Sequence, residues 1–227
     1  MKRGESKRYW DEAARDNAAW HIATGHASED EGFFARGAVE TDHYLALAGL
    51  TLHDTDVIVE IGSGVGRMTR RLSELAGRVI ATDVSGEMLG RARANLRDRG
   101  NVEFVEVSGE GELPLDDAST DAVFSYITMQ HVPTVAAQER YFAEALRILR
   151  PGGWALIQYR RSGLVPRALD WAGHLGHLLA GRRTLHRAWR GARVDLTALR
   201  ASAPATYSVE LLPAGRRHAW ILARSLN

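Results

Sequence analysis

Gly62, Gly64 and Gly66 stand at alternate positions directly after an apolar run, Val57 to Ile61, that carries one acid, Glu60. Glycines so spaced let the backbone turn sharply and approach a ligand with no Cβ in between. The β-branched run suits a strand buried on both faces of a parallel sheet. Arg67 to Ala76 has helical spacing and stops at Gly77, a good C-cap residue. Strand, glycine turn and helix together open a nucleotide-binding α/β sheet, with amides at the helix start that favour an anionic group. A further acid, Asp83, ends the run Arg78-Val-Ile-Ala-Thr, 21 residues after Gly62. A carboxylate there can accept both hydroxyls of an adenosyl ribose. Helix capping is its other reading, and Ser85 already offers a cap for the helix that follows.

The spacing is G-x-G-x-G, with Glu60 two residues before the first glycine, and not the G-x-G-x-x-G of a dinucleotide site. It resembles motif I of the class I S-adenosylmethionine (SAM) methyltransferases. Alone, such a loop also fits a glycine-rich turn in another α/β protein, so the later landmarks matter. Asn101 to Val107 and Asp121 to Ile127 read as third and fourth strands. Thr134 to Leu149 reads as a helix with apolar Val135, Phe142, Leu146 and Leu149, and Trp154 to Tyr159 as a fifth strand. The join between them, Leu149-Arg-Pro-Gly-Gly-Trp-Ala-Leu-Ile, resembles the helix-to-strand turn of the same family. Tyr207 to Pro213 and His218 to Arg224 read as a terminal hairpin. The resemblance covers residues 55–160. It implies a Rossmann-like, seven-stranded, mostly parallel sheet with an antiparallel last strand, helices on both faces, and N-terminal and inserted lid helices. The expected layout is one domain over 1–227: cap helices in 1–50, a SAM-binding core in 51–160, a helical insert in 160–193, and a helix and hairpin in 194–227.

The resemblance also implies the cofactor, SAM, and its product S-adenosylhomocysteine (SAH). Glu60, Gly62, Ser63, Gly64 and Gly66 would meet the methionine part, Asp83 the ribose, and Val84 and Met88 the adenine faces. After the third strand an acid or amide often meets the adenine amino group, a place open here between Gly109 and Glu110. Ser125 would face the cofactor from the end of the fourth strand. Beyond it, in Ser125 to Pro133, lie Gln130 and His131, the candidate catalytic residues, because the family shows similar His-rich turns there. His131 has a second reading, as a brace for the next helix. The sulfonium already activates the methyl group, so a protein can accelerate transfer largely by placing the nucleophile in line. A base is needed only when the nucleophile must lose a proton. The segment lacks the Asn/Asp-Pro-Pro-aromatic motif of enzymes that methylate exocyclic base amines, which argues against a DNA adenine enzyme.

Substrate choice is expected outside the sheet. Tyr9, Ala13, Asn17 and Trp20 fall near one helical stripe. In the enzymes this chain resembles such a helix lids the cofactor, which implies Tyr9, Trp10 and Trp20, together with Tyr126, as candidates for the substrate pocket. A helix merely packed on the core is the other reading. Residues 160–193 hold eight Arg, three His and one acid, Asp170. Leu164, Ala168, Trp171, Leu175 and Leu178 mark an apolar face there, and Arg182, Arg183, Arg187, Arg190 and Arg193 follow. A solvated basic lid, an anionic substrate, a dimer contact and a membrane-surface patch all fit that composition.

The 227 residues are 45% apolar, which suits one globular domain. There is no cysteine, so disulfides and thiolate metal sites are excluded, and no metal is expected. A net charge of +1 supplies no field that would draw nucleic acid. No stretch suits a membrane span and no signal-peptide pattern opens the chain, so a cytoplasmic protein is expected. Lysine occurs only at positions 2 and 7, a mark of a GC-rich bacterial genome. The expected function is methyl transfer from SAM to an O, N or C nucleophile of a small molecule, in bacterial secondary metabolism, by a monomer or homodimer. Methylation of a peptide or protein amine and a non-catalytic SAM-fold regulatory role are the alternatives.

Overall fold

The computed structural model describes residues 4–23, 26–161, 187–215 and 217–226. Most of the basic insert, with Leu164, Ala168, Trp171, Leu175, Leu178, Arg182 and Arg183, lies outside the described residues.

Helices α1 (Glu5–Ile22) and α2 (Glu31–Leu47) precede the core. The core runs β1 (Val57–Ile61), α3 (Thr69–Leu75), β2 (Arg78–Asp83), α4 (Gly86–Asn95), β3 (Val102–Glu106) and β4 (Thr120–Ser125). A 3-10 turn (Met129–His131), α5 (Val135–Ile148) and β5 (Leu149–Arg160) follow. After the insert come α6 (Arg187–Arg190), α7 (Leu196–Ala201), β6 (Tyr207–Ala214) and β7 (His218–Ser225). The sheet order is β3-β2-β1-β4-β5-β7-β6. β1 to β5 are parallel neighbours, while β7 runs antiparallel between β5 and β6. The expected sheet, antiparallel last strand included, is the one observed.

β1 shows why its sequence is apolar throughout. Val59 and Ile61 enter one core layer with Val123, Ile157 and the α5 residues Phe142 and Leu146. Ile58 enters the opposite layer with Leu72, Phe124, Leu156 and Trp220. A strand with both faces covered needs apolar residues at odd and even positions alike.

Among the boundaries that differ from those expected, two bear on how the strands and the loop meet. α3 starts at Thr69 rather than Arg67, because the chain is still leaving the loop, where Gly62, Gly64 and Gly66 have φ of 78°, 56° and 88°. β5 starts at Leu149, so Pro151-Gly-Gly153 lies inside the strand rather than before it. The register with β4 shifts there, between Thr120 and Ala122. A Cβ on Gly153 would come within 2.8 Å of Asp121 O, so glycine lets the two strands approach.

The order reverses between β1 and β4, which marks the end of the sheet where open α/β folds bind ligands. α1 crosses that end. Asp11 accepts the Ser85 hydroxyl at 2.6 Å and the Glu87 amide at 3.3 Å, which pins α1 to the start of α4. Lys7 reaches Glu106 of β3 at 2.8 Å. The helical stripe expected from Tyr9 to Trp20 is broken at Asn17, whose φ of −163° is extended. Asn17 Oδ1 accepts the Trp20 amide at 2.9 Å and so starts the last turn as a new cap.

Candidate active site

The glycine loop is fixed from below and left bare above. The amides of Gly62 and Ser63 donate to Thr82 O at 2.8 and 2.9 Å, tying the loop to β2. Asp83 accepts the Gly64 amide on Oδ2 and the Ser85 amide on Oδ1, both at 2.9 Å. Ser85 Oγ caps α4 by accepting the Met88 amide at 3.1 Å. The cap at Ser85 frees Asp83 from capping α4, and Asp83 braces the loop as well as facing the cleft. A Cβ on Gly62 would collide with Thr128, and one on Gly64 would come within 2.7 Å of Ile22 Cδ1. A Cβ on Gly66 would instead meet Leu96 of the segment after α4, so that glycine serves packing.

Two cavities open at this end of the sheet. The first is a cleft walled by Gly62, Gly64, Asp83, Val84, Met88 and Gly109, with Val107 and Tyr141 deeper and Trp10 of α1 above. The second, of about 360 Å³, is walled by Arg36, Glu40, Arg67, Gln130, Trp189 and His26. The two share His21, Ile22, Tyr126, Ile127 and His131, so they meet along one seam. The other expected site residues support the walls. Glu60 lies buried beneath the loop and accepts the Thr69 hydroxyl at 2.6 Å. Ser63 is buried, and Ser125 donates its hydroxyl to Ile61 O at 2.9 Å. Glu110, Tyr9 and Trp20 line neither cavity.

Burial sets the charge states. It raises Asp83 to about 6 against the pull of its backbone donors. It raises Glu60 to about 7 despite the Thr69 hydroxyl and Arg67. The Tyr126 phenol is pushed up by burial and by its hydrogen bond with Tyr44. Burial drives His131 down to about 4, opposed by the Trp189 carbonyl, so its ring is neutral at pH 7.

His131 belongs to a chain of contacts. Its Nδ1 lies 2.5 Å from Trp189 O, its Nε2 3.1 Å from Gln130 Nε2, and Gln130 Oε1 2.7 Å from His218 Nε2. One proton arrangement satisfies all three: His218 Nε2–H donates to Gln130, the Gln130 amide to His131 Nε2, and His131 Nδ1–H to Trp189 O. Trp189 stacks on Trp20 with centroids 5.7 Å apart, and Trp10 and Trp189 each lie 5.1 Å from the His131 ring. Gly191 makes this docking possible, since a Cβ there would collide with the Gln130 carbonyl.

Sequence reasoning missed Trp189, Ile127, Thr128, Arg36 and Arg67. Trp189 lies between Arg187 and Arg190 in the basic insert, where a single aromatic carries no periodic signal. Ile127 carries φ of 59° at the seam, a strained backbone for a β-branched residue and a mark of constrained sites. Among the described residues no group of three or more acids, histidines or cysteines could hold a metal ion. No described helix is long and apolar enough to cross a membrane.

A ligand with an adenosine and an amino-acid end fits the first cleft. Apolar Val84 and Met88 suit a base, Asp83 suits vicinal hydroxyls, and Gly62 and Gly64, with no side chains, let the amino-acid end come close to the backbone. Residues 59–157 match the family model described as "Methyltransferase domain". Over 101 residues the chain is 38% identical to the "Ubiquinone/menaquinone biosynthesis C-methyltransferase UbiE" of Brucella anthropi, across 42% of this chain and 37% of that protein. Over 122 residues it is 33% identical to the malonyl-(acyl-carrier protein) O-methyltransferase of Marinomonas sp., across 53% of this chain and 44% of that protein. The chain thus spans about two fifths of the length of these curated relatives. A solved structure described as "DhpI-SAM-HEP complex" shares the fold at a TM-score of 0.63 and 24% identity, over 97% of this chain and 96% of that one.

Proposed function

We propose that this chain, whose core is a class I SAM-dependent methyltransferase domain, methylates a small molecule held in the second cavity. The observation that carries the reading is the seam: a cleft suited to SAM and a separate cavity share Tyr126, Ile127 and His131. Bound there, SAM supplies a methyl group on a sulfonium and leaves as SAH. The residues around it bind, orient and keep water out. Asp83 and the glycine loop would hold the ribose and the carboxylate, Val84 and Met88 the base. Trp10 and Ile22 would cover the cleft from α1 and so exclude water from the reacting atoms.

In this reading His131 and Gln130 position the acceptor. His131 is neutral at pH 7 and its Nε2 already accepts the Gln130 amide, which leaves a poor base and a firm wall. An acceptor that is nucleophilic without prior deprotonation needs no more than alignment along the seam. The curated relatives' names speak of C-methylation in ubiquinone and menaquinone biosynthesis and of O-methylation of malonyl-(acyl-carrier protein), and a cavity of about 360 Å³ lies in the range of small-molecule sites.

Calorimetry tests the cofactor part. SAM and SAH should bind and NAD should not, and tight NAD binding without SAM binding would sink the proposal. Incubation with labelled SAM and pooled bacterial metabolites, followed by mass spectrometry, should find the methyl group on a small molecule and not on a polypeptide.

A further inference from the structure

One wall of the second cavity, formed by Arg36, Glu40 and Arg67, carries unbalanced charge. Arg36, Gly37 and Glu40 lie within one turn of α2. At Gly37 the helix touches the loop so closely that a Cβ would come within 2.6 Å of Arg67 O and 2.8 Å of Arg67 Cγ. This approach sets Glu40 between two guanidinium groups: Arg36 Nε at 3.2 Å from Oε1 and Arg67 Nη1 at 2.8 Å from Oε2. On the lining two guanidinium groups share one carboxylate, and the Glu60 carboxyl that also acts on Arg67 from beneath the loop is held protonated up to about pH 7, so the lining keeps an excess of positive charge. The Arg67 pair is close but off line. Neither Arg67 Nε nor Glu40 Oε2 is in a hydrogen bond among the described residues.

Arg67 is held rather than free to leave. Its side chain is 4% exposed, and its guanidinium carbon lies 5.6 Å from the Phe33 ring centroid and 5.8 Å from that of Tyr126. A buried N–H without an acceptor is costly, and a cation there favours an anion over water. Arg36, by contrast, is 67% exposed and can swing onto whatever enters.

We propose that the second cavity binds its substrate through a carboxylate held by Arg36 and Arg67, with the atom to be methylated at the Tyr126–His131 seam. This rests on the methyltransferase reading of the first cleft. A planar monoanion matches both the single excess charge and the fork of a guanidinium. A cationic acceptor would be repelled by the same wall, and a neutral one would leave the charge unanswered. No bond is made at the carboxylate, which only anchors the molecule.

The test uses the protein loaded with SAH, whose binding is measured first. Acetate, benzoate and 1-naphthoate are then titrated against their amides. The best-fitting acid should bind at least about 10-fold more tightly than its amide, one charge-assisted pair's worth. Arg36→Gln should erase most of that preference, while Arg67→Lys, which keeps the charge but not the fork, should retain part of it. Raised salt should shrink the preference in the wild type. Equal binding of acid and amide, or no binding of either, overturns the proposal while SAH binding stands. Tighter binding of inorganic phosphate than of any acid overturns the carboxylate assignment. Failure of SAH to bind would strike the methyltransferase reading instead.

Discussion

The Asp83 carboxylate accepts the Gly64 amide at 2.9 Å, so the acid that ends β2 holds the glycine loop that ends β1. The same group lines the cleft where an adenosyl ribose would lie. It has two duties, and substitution should show both. Asp83→Ala should weaken SAH binding by roughly 1.5–3 kcal/mol, the range for a hydrogen bond to a charged group. It should also lower the melting temperature, because the Gly64 amide loses its acceptor. Asp83→Asn, which keeps the shape, should recover part of the melting temperature but little of the affinity. Calorimetry and thermal melts measure the pair, and an unchanged dissociation constant in Asp83→Ala would leave the acid a purely structural part.

The pH dependence has a definite sign. Asp83 is raised from 3.8 to about 6 and Glu60 from 4.5 to about 7, so the folded chain keeps protons that the unfolded chain has lost. Their share of stability is full at low pH and declines as pH rises, from the unfolded values up through about 7. His131, lowered from 6.5 to about 4, acts oppositely: its share is full above 6.5 and is lost as pH falls toward 4. Affinity for SAH should follow Asp83 alone, because the ionised carboxylate is the better acceptor of ribose hydroxyls. Binding should tighten from about pH 5 to about pH 7 and then level off. The Asp83→Asn protein should show a flat profile over that range, and a slope retained in it would point to another group.

Gly64→Val should abolish SAH binding and spare the fold. The added side chain would push toward the flexible tip of Ile22 and into the cleft, on a backbone at φ of 56°. Gly90→Ala provides the contrast, since nothing lies within 4 Å of its Cβ position in α4. That change should leave binding intact and stabilise the helix by up to about 1 kcal/mol. Circular dichroism and SAH titration of both proteins decide it; normal binding by Gly64→Val would mean that the loop stays clear of the ligand.

His131→Ala should cut turnover by roughly 10²-fold through loss of acceptor alignment, while SAH affinity changes little. Positioning and base catalysis differ in the pH profile at saturating SAM. A base titrating near its ordinary value would give an acid limb around 6.5, whereas a positioning ring held at about 4 gives none. His218→Ala should weaken acceptor binding more than it lowers turnover, because it reaches the site only through Gln130. An acid limb near 6.5 that disappears in His131→Ala would restore His131 as the base.

The glycine loop and the acid at the end of β2 were legible in the sequence because their signals are local. Three glycines at alternate positions, an apolar run and an acid at a strand end prescribe backbone conformation within about 25 residues. Ser85 at a cap and the Pro-Gly-Gly join belong to the same class of signal, and even there the sequence did not show that Asp83 would brace Gly64. The acceptor half was decided by tertiary structure. His131 meets a carbonyl 58 residues away and Gln130 a histidine 88 residues away. Arg36 and Glu40 meet Arg67 only because α2 closes on the loop at Gly37. Periodicity and turn chemistry determine which residues form an element and which face it presents. Which faces then oppose one another depends on the strand order and on how α1, α2 and α6 dock over its carboxyl end. A lone Gly37 or Trp189 carries no mark of that in the chain itself.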